Sequence, residues 1–84
     1  MIIVADASFI VAAFAPADEH NRAAWRWWRK WDAGIVVSRL AVFEAENTIR
    51  GFPVGGKCSH PAAQSALEGI KRAIMEGLLI ERDI

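Results

Sequence analysis

Three short apolar runs, separated by longer segments of helical character, constrain the fold of this chain more than any other feature. Met1–Ala5 and Ile35–Val37 are apolar throughout, as expected of strands that are covered on both faces. Leu78–Ile84 is predicted to be a third strand or the start of one. Strands that alternate with helices predict a parallel sheet with helices on its faces. We therefore expect an α/β fold.

Four helices are predicted between these strands, each preceded by a polar residue suited to capping its N-terminus. The caps are Asp6 or Ser8, then Asp18, Ser38 and Ser59. The predicted helices run from Phe9 to Phe14, from Asp18 to about Trp31, from Leu40 to Arg50, and from Pro61 to a stop at Gly77. The chain then stops in a strand, which is unusual for an α/β domain. We therefore expect residues 1–84 to be the N-terminal part of a single, truncated domain.

The composition narrows the class of protein. Hydrophobic residues make up 54% of the 84, which excludes a disordered chain. The ten basic and ten acidic residues cancel, so attraction to nucleic acid requires a local patch. The single Cys58 suits a reducing compartment, and no apolar run approaches the ~20 residues of a membrane span. We expect a cytoplasmic protein that does not enter the membrane.

Two carboxylates follow predicted strands and are candidates for a metal site. Asp6 comes directly after the first strand, and Glu44 lies on the helix after the second. Ligands of open α/β sheets bind beyond the carboxyl ends of the strands, where these two groups are able to converge. A helical wheel places Glu44 inward, between Leu40 and Ala41, and Glu46 in solvent. The residues alone leave two other interpretations open: Asp6 as only a helix cap, and Glu44 as only a helix-face acid.

Two segments resemble the PIN-domain family, the fold of VapC-type toxin ribonucleases. The opening MIIVADASFIVAAF is similar to the start of that domain, with an apolar strand, Asp, a small residue and Ser. The stretch VSRLAVFEAENTIRG is similar to the second motif of the family, in which Glu is followed three residues later by Asn. The matching positions are Asp6, Ser8, Glu44 and Asn47.

This resemblance implies a three-layer α/β/α domain and a metal-dependent endoribonuclease. It implies that Asp6 and Glu44 bind Mg²⁺ or Mn²⁺ as catalytic ligands, while Ser8 and Asn47 support them. RNA would be the substrate and an antitoxin protein the partner. The family has further acids in its C-terminal half, so we expect the 84-residue chain alone to cleave RNA weakly. The alternative is a non-catalytic PIN-like module for binding or oligomerisation, and exposed strand edges favour a homo-oligomer in either case.

The second predicted helix carries four Trp and several basic residues. One interpretation is an aromatic stripe that faces the core, with the basic side chains in solvent. The other is a contact surface, formed by Trp25 and the arginines, for an antitoxin, a second subunit or RNA. The loop Gly51–Cys58 fits the spacing of a phosphate-binding loop, but it has Cys58 in place of Ser or Thr and follows a helix, so we reject that function.

Overall fold

The computed structural model describes residues 3–30 and 34–83, which form three strands and four helices. In chain order they are β1 (Ile3–Ala5), α1 (Ala7–Phe14), α2 (Asn21–Trp28), β2 (Ile35–Ser38), α3 (Arg39–Gly51), α4 (His60–Met75) and β3 (Leu79–Arg82). The strands lie in the order β1-β2-β3, and both pairs are parallel. The α/β class and the parallel sheet predicted from the sequence are confirmed.

Three of the predicted helix caps form hydrogen bonds. The Asp6 carboxylate accepts from the Phe9 N–H at 3.1 Å, the Ser38 hydroxyl oxygen from Ala41 N–H at 2.9 Å, and the Ser59 hydroxyl oxygen from Ala62 N–H at 3.2 Å. Each bond satisfies one of the backbone donors that the first turn of a helix leaves unpaired. Asp6, and not Ser8, is therefore the cap of α1.

In the described part of the chain, no helix has the length and apolar character needed to cross a bilayer.

The predicted cap of α2 is wrong, and the described helix is shorter than expected. Asp18 accepts from the N–H of His20 at 2.8 Å, a local turn in which an aspartate side chain bonds two residues ahead. The helix instead begins at Asn21, whose side-chain amide donates to the Ala12 carbonyl at 2.7 Å. That bond ties the start of α2 to the end of α1. The predicted end of the helix, Trp31, lies outside the described residues.

The two faces of the sheet differ in how they are covered. On the helix-covered face, Ile35, Val37 and Leu79 are at most 1% exposed and join the core formed with α1, α3 and α4. Their neighbours alternate to the opposite side, because successive strand residues point to opposite faces. This outer face carries the row Val4, Val36 and Ile80, which the parallel register aligns across the three strands.

The outer face is partly open, contrary to the expectation that these strands are covered on both sides. Val4 is 66% exposed, Val36 and Ile80 are half-buried, and this row does not belong to the core. The strand order explains the asymmetry. Each crossover moves to the next strand in the same direction, and right-handed crossovers of that kind place their helices on one face. The described residues therefore supply one helical layer.

Candidate catalytic cleft

Asp6 lies where the sequence places it, at the carboxyl end of β1, and its side chain also has a structural task. Its exposed carboxylate caps α1, and the residue lines a shallow cavity of about 370 Å³ with Val4, Phe9 and Trp27. A carboxylate has two oxygens and about four lone-pair positions, so the hydrogen bond from Phe9 leaves capacity for another partner. Asp6 therefore caps α1, and this hydrogen bond does not exclude a ligand role.

Ser8 and Glu44 meet in a second cavity, which we call the Ser8–Glu44 cleft. It has a volume of about 430 Å³ and lies between the first turns of α1 and the middle of α3. Its lining residues are Ala7, Ser8, Val11, Asp18, His20, Glu44 and Thr48. Two of the four residues matched by the PIN-domain resemblance are therefore brought together. Asp6 lines the neighbouring cavity and directly precedes Ala7 in the chain.

The predicted rotation of α3 is correct for Ala41, Ala45 and Ile49, which are buried, and wrong for Leu40 and Glu44. Glu44 is exposed and Glu46 is half-buried, the reverse of what the helical wheel predicts. Leu40, expected to face inward, is 64% exposed, whereas Val42 is buried at 6%. The cause is the run Leu40–Phe43, in which four consecutive apolar residues cover most of the helix circumference and leave the phase undetermined. The buried arc passes through Val42, so Glu44 lies at the rim of the cleft.

Asn47 and Glu46 also differ from expectation. The Asn47 side-chain oxygen accepts from the Arg50 guanidinium at 3.2 Å, and both residues are exposed. Arg50 therefore pairs with Asn47, three residues before it on the same helix. Asn47 does not line the Ser8–Glu44 cleft. A role for Asn47 in orienting Glu44 stays a prediction.

Asp18 and His20 are the cleft residues that sequence reasoning did not propose. The turn after α1 folds back so that both line the same cavity as Glu44, although Asp18 was expected to cap a helix. The Nε2 atom of His20 lies 3.3 Å from the Glu19 carboxylate. The one sequence signal for this placement was Asn21, because an amide at a helix start is able to satisfy carbonyls that a preceding helix leaves unpaired.

The acids of this region suit a hard divalent cation in chemistry, but they do not form a complete set of ligands. Among the described residues, no three Asp, Glu, His or Cys side chains are grouped as a metal site. Mg²⁺ usually binds through one or two carboxylates, with waters and substrate phosphates completing the shell. Asp18 and Glu44 share one cleft and meet that smaller requirement. The donors therefore fit a cation that is held jointly by protein and substrate.

The glycine-rich loop follows a helix and contributes packing contacts. It follows α3 directly, and the Lys57 ammonium lies 4.9 Å from the centre of the Phe52 ring. An ammonium over an aromatic face is stabilised by the ring quadrupole. Cys58, at the position where a phosphate loop needs a hydroxyl, lines an apolar cavity of about 560 Å³ with Phe14 and Ile49. These contacts agree with the rejection of a nucleotide-binding loop.

Comparison of the chain with protein-family models, with curated proteins and with solved structures gives no match.

Proposed function

We propose that this protein is a Mg²⁺- or Mn²⁺-dependent endoribonuclease of the PIN-domain, VapC type, with the Ser8–Glu44 cleft as its catalytic site. The observation that carries the proposal is that Ser8 and Glu44, matched in two separate motifs, line one cleft together with a second acid, Asp18. Asp6 lies one residue before that cleft, at the carboxyl end of β1. Ligands of open α/β sheets bind at that edge.

The cleft residues have distinct roles in this proposal. Glu44 and Asp18 would supply the negative charge that holds the cation, and Asp6, which lines a separate cavity, would bind it together with the substrate and not as part of a preformed set of three ligands. Ser8 donates a hydrogen bond to a phosphate oxygen, and the His20 imidazole lines the same cleft, with its Nε2 atom 3.3 Å from the Glu19 carboxylate. When bound, the cation supplies activation of water and neutralisation of charge on the scissile phosphate. The Thr48 hydroxyl donates to the Glu44 carbonyl at 2.9 Å and keeps that turn of α3 in place.

The same proposal extends to the fold and the partners. The domain is a three-layer α/β/α PIN-like domain, in which a second layer of helices covers Val4, Val36 and Ile80. The partly exposed apolar row on the outer face supports this part of the proposal, because such a surface is stabilised by burial. As a toxin of this class, the protein acts on RNA in the cytoplasm and is held in check by an antitoxin.

The proposal is tested by metal binding and RNA cleavage in paired variants. We expect Mn²⁺ binding by calorimetry, and weak cleavage of a fluorophore-quencher RNA that stops with EDTA. Glu44→Gln should reduce both by at least about tenfold, since it removes one of few charged ligands. Glu68→Gln, an exposed acid on α4, is the matched control and should leave both unchanged. Cleavage that survives Glu44→Gln and EDTA contradicts the proposal.

A second candidate function, a non-catalytic binding or oligomerisation module, is favoured by the apolar surface of α3. Leu40 and Phe43 are 64% and 58% exposed and lie one turn apart on the helix. Neighbouring apolar residues on a solvent face are typical of interaction surfaces. Sedimentation of the wild-type chain and of Phe43→Glu tests this function. A dimer that Phe43→Glu converts to monomer, together with no cleavage by either protein, favours the module over the enzyme.

A further inference from the structure

The solvent side of α2 concentrates positive charge around one aromatic ring. A cavity of about 590 Å³ is lined by Asn21, Arg22, Trp25, Arg26 and Arg29, and we call this surface the basic–aromatic face. The three arginines stand four and three residues apart, so they follow one side of the helix over about 10 Å at 1.5 Å per residue. All three are exposed. The net charge of the chain is zero, so this patch is a local excess.

These arginines have no acidic partner in the part of the chain that the structure describes. The ion pairs found there join His20 to Glu19 and Arg39 to Glu81. A guanidinium group without a carboxylate neighbour stays fully available for an anionic ligand and loses no existing pair on binding. The structure therefore presents three unpaired cations side by side.

Trp25 is held in place with part of its ring in solvent. It stacks on Trp28 with the ring centres 5.4 Å apart and an interplanar angle of 14°, and Phe14 meets it edge-on at 6.4 Å. Trp28 is 8% exposed and also packs against Phe9, so it is a fixed platform. Trp25 itself is 40% exposed. A second flat group can extend this stack at little entropic cost, because the indole is already oriented.

We infer that the basic–aromatic face binds single-stranded polynucleotide, with a base stacked on Trp25 and phosphates contacted by Arg22, Arg26 and Arg29. Proteins that bind single strands combine aromatic side chains, on which bases stack, with a row of cations along the phosphates. An acidic peptide matches the charges but has no base to stack on the exposed indole, and the bases of a duplex are already stacked on one another. The exposed ring of Trp25 therefore favours a single strand over both of these ligands.

The face should distinguish RNA from DNA only weakly, because the Asn21 N–H groups are engaged and only its side-chain oxygen is left to meet a 2′-hydroxyl. Recognition of RNA depends on the 2′-hydroxyl, which is read by polar side chains near the sugar. Asn21, the amide on this face, already donates to the carbonyls of Ala12 and Ala13 at 2.7 and 3.3 Å. Binding here requires neither metal nor cleavage, so the inference stands or falls separately from the proposed catalytic function.

The test is fluorescence anisotropy with a labelled 12-nucleotide oligouridine in EDTA, across a range of salt concentrations. The double variant Arg22→Gln/Arg26→Gln is compared with Lys71→Gln/Arg72→Gln, which removes the same charge from exposed positions on α4. We expect the α2 pair to bind at least about tenfold more weakly, with the salt slope reduced by about 1.4, at about 0.7 per phosphate contact. The α4 pair should stay within about twofold of wild type.

Trp25→Ala should weaken oligouridine binding by about 5- to 150-fold, the range that one stacked base represents. Trp25→Phe, which keeps a ring over Trp28, should retain most of the affinity and decides the result if Trp25→Ala does not fold. Oligothymidine should bind within a few-fold of oligouridine. Equal losses in the α2 and α4 pairs overturn the inference. The inference is also overturned if labelled oligoglutamate binds as tightly as oligouridine and if neither Trp25→Phe nor Trp25→Ala changes its affinity.

Discussion

The helix-covered and outer faces of the sheet are built from the same residue types and lie in different surroundings. Ile35, Val37 and Leu79 are buried beneath α3 and α4, whereas Val4 and its row on the outer face meet solvent in part. Both sides of β2 carry a branched aliphatic residue, so side-chain chemistry does not separate them. The path of the chain makes the two faces different, because two crossovers in one direction place their helices on the same face of the sheet. Apolar strands thus need a partner on the face that their own connections leave uncovered.

The largest effect is expected on the helix-covered face. Ile35→Ala should lower the free energy of unfolding by about 2–5 kcal/mol, because Ile35 is 0% exposed and its removal leaves a cavity among packed neighbours. Urea denaturation followed by circular dichroism measures the change. A loss below about 1 kcal/mol would show that this face is not the principal core.

An intermediate effect is expected at Gly34, where the outer face is closely packed. A Cβ atom there would lie 2.9 Å from Ile80 Cδ1 and 3.0 Å from the Gly77 carbonyl oxygen. Gly34→Ala should therefore destabilise the fold by about 1–3 kcal/mol through overpacking. Gly51→Ala is the control, since a Cβ there meets nothing within 4 Å and alanine is the better helix residue. Equal stability of the two variants would contradict the contact with Gly77.

The smallest effect is expected at the open end of the outer face. Val4→Thr keeps the branched shape and adds a hydroxyl to a side chain that is 66% exposed, so the free energy of unfolding should change by no more than about 0.5 kcal/mol. Thermal melting of the wild-type and variant proteins at two concentrations measures it. A loss of more than about 1.5 kcal/mol that grows with protein concentration would mean that the row is covered by a second molecule.

The sequence predicts the order of the elements and three of the four helix caps, because those depend on neighbouring residues. Asp6, Ser38 and Ser59 each bond a backbone N–H three residues ahead, a local event that the residue type suffices to indicate. The rotation of α3 was not predictable in the same way. Its apolar run is compatible with more than one inward direction, and packing against α1 and β2 selects among them.

The residues of the candidate site also fall into two groups, those that the local sequence indicates and those that tertiary contacts bring to the cleft. The ends of strands indicate Asp6, and motif spacing indicates Glu44, so both acids are candidates that the sequence alone supplies. Asp18 and His20 reach the cleft through a turn held by the bond from Asn21 to Ala12, a contact between residues on different elements. Such a contact leaves no periodic pattern in the sequence from which it could be predicted. Tertiary contacts therefore decide which other side chains meet Glu44.

The parallel pairing of the strands has a consequence for how the chain folds. Ile3 pairs with Ile35, and Ile35 with Leu79, so each ladder joins residues roughly 30 to 45 positions apart. By the logarithmic dependence of loop closure on length, these two pairings differ in entropic cost by only about 0.3 kcal/mol. Chain length therefore sets no order between them. We expect the helices to form first, because strand association waits until they shorten the distance between the paired segments.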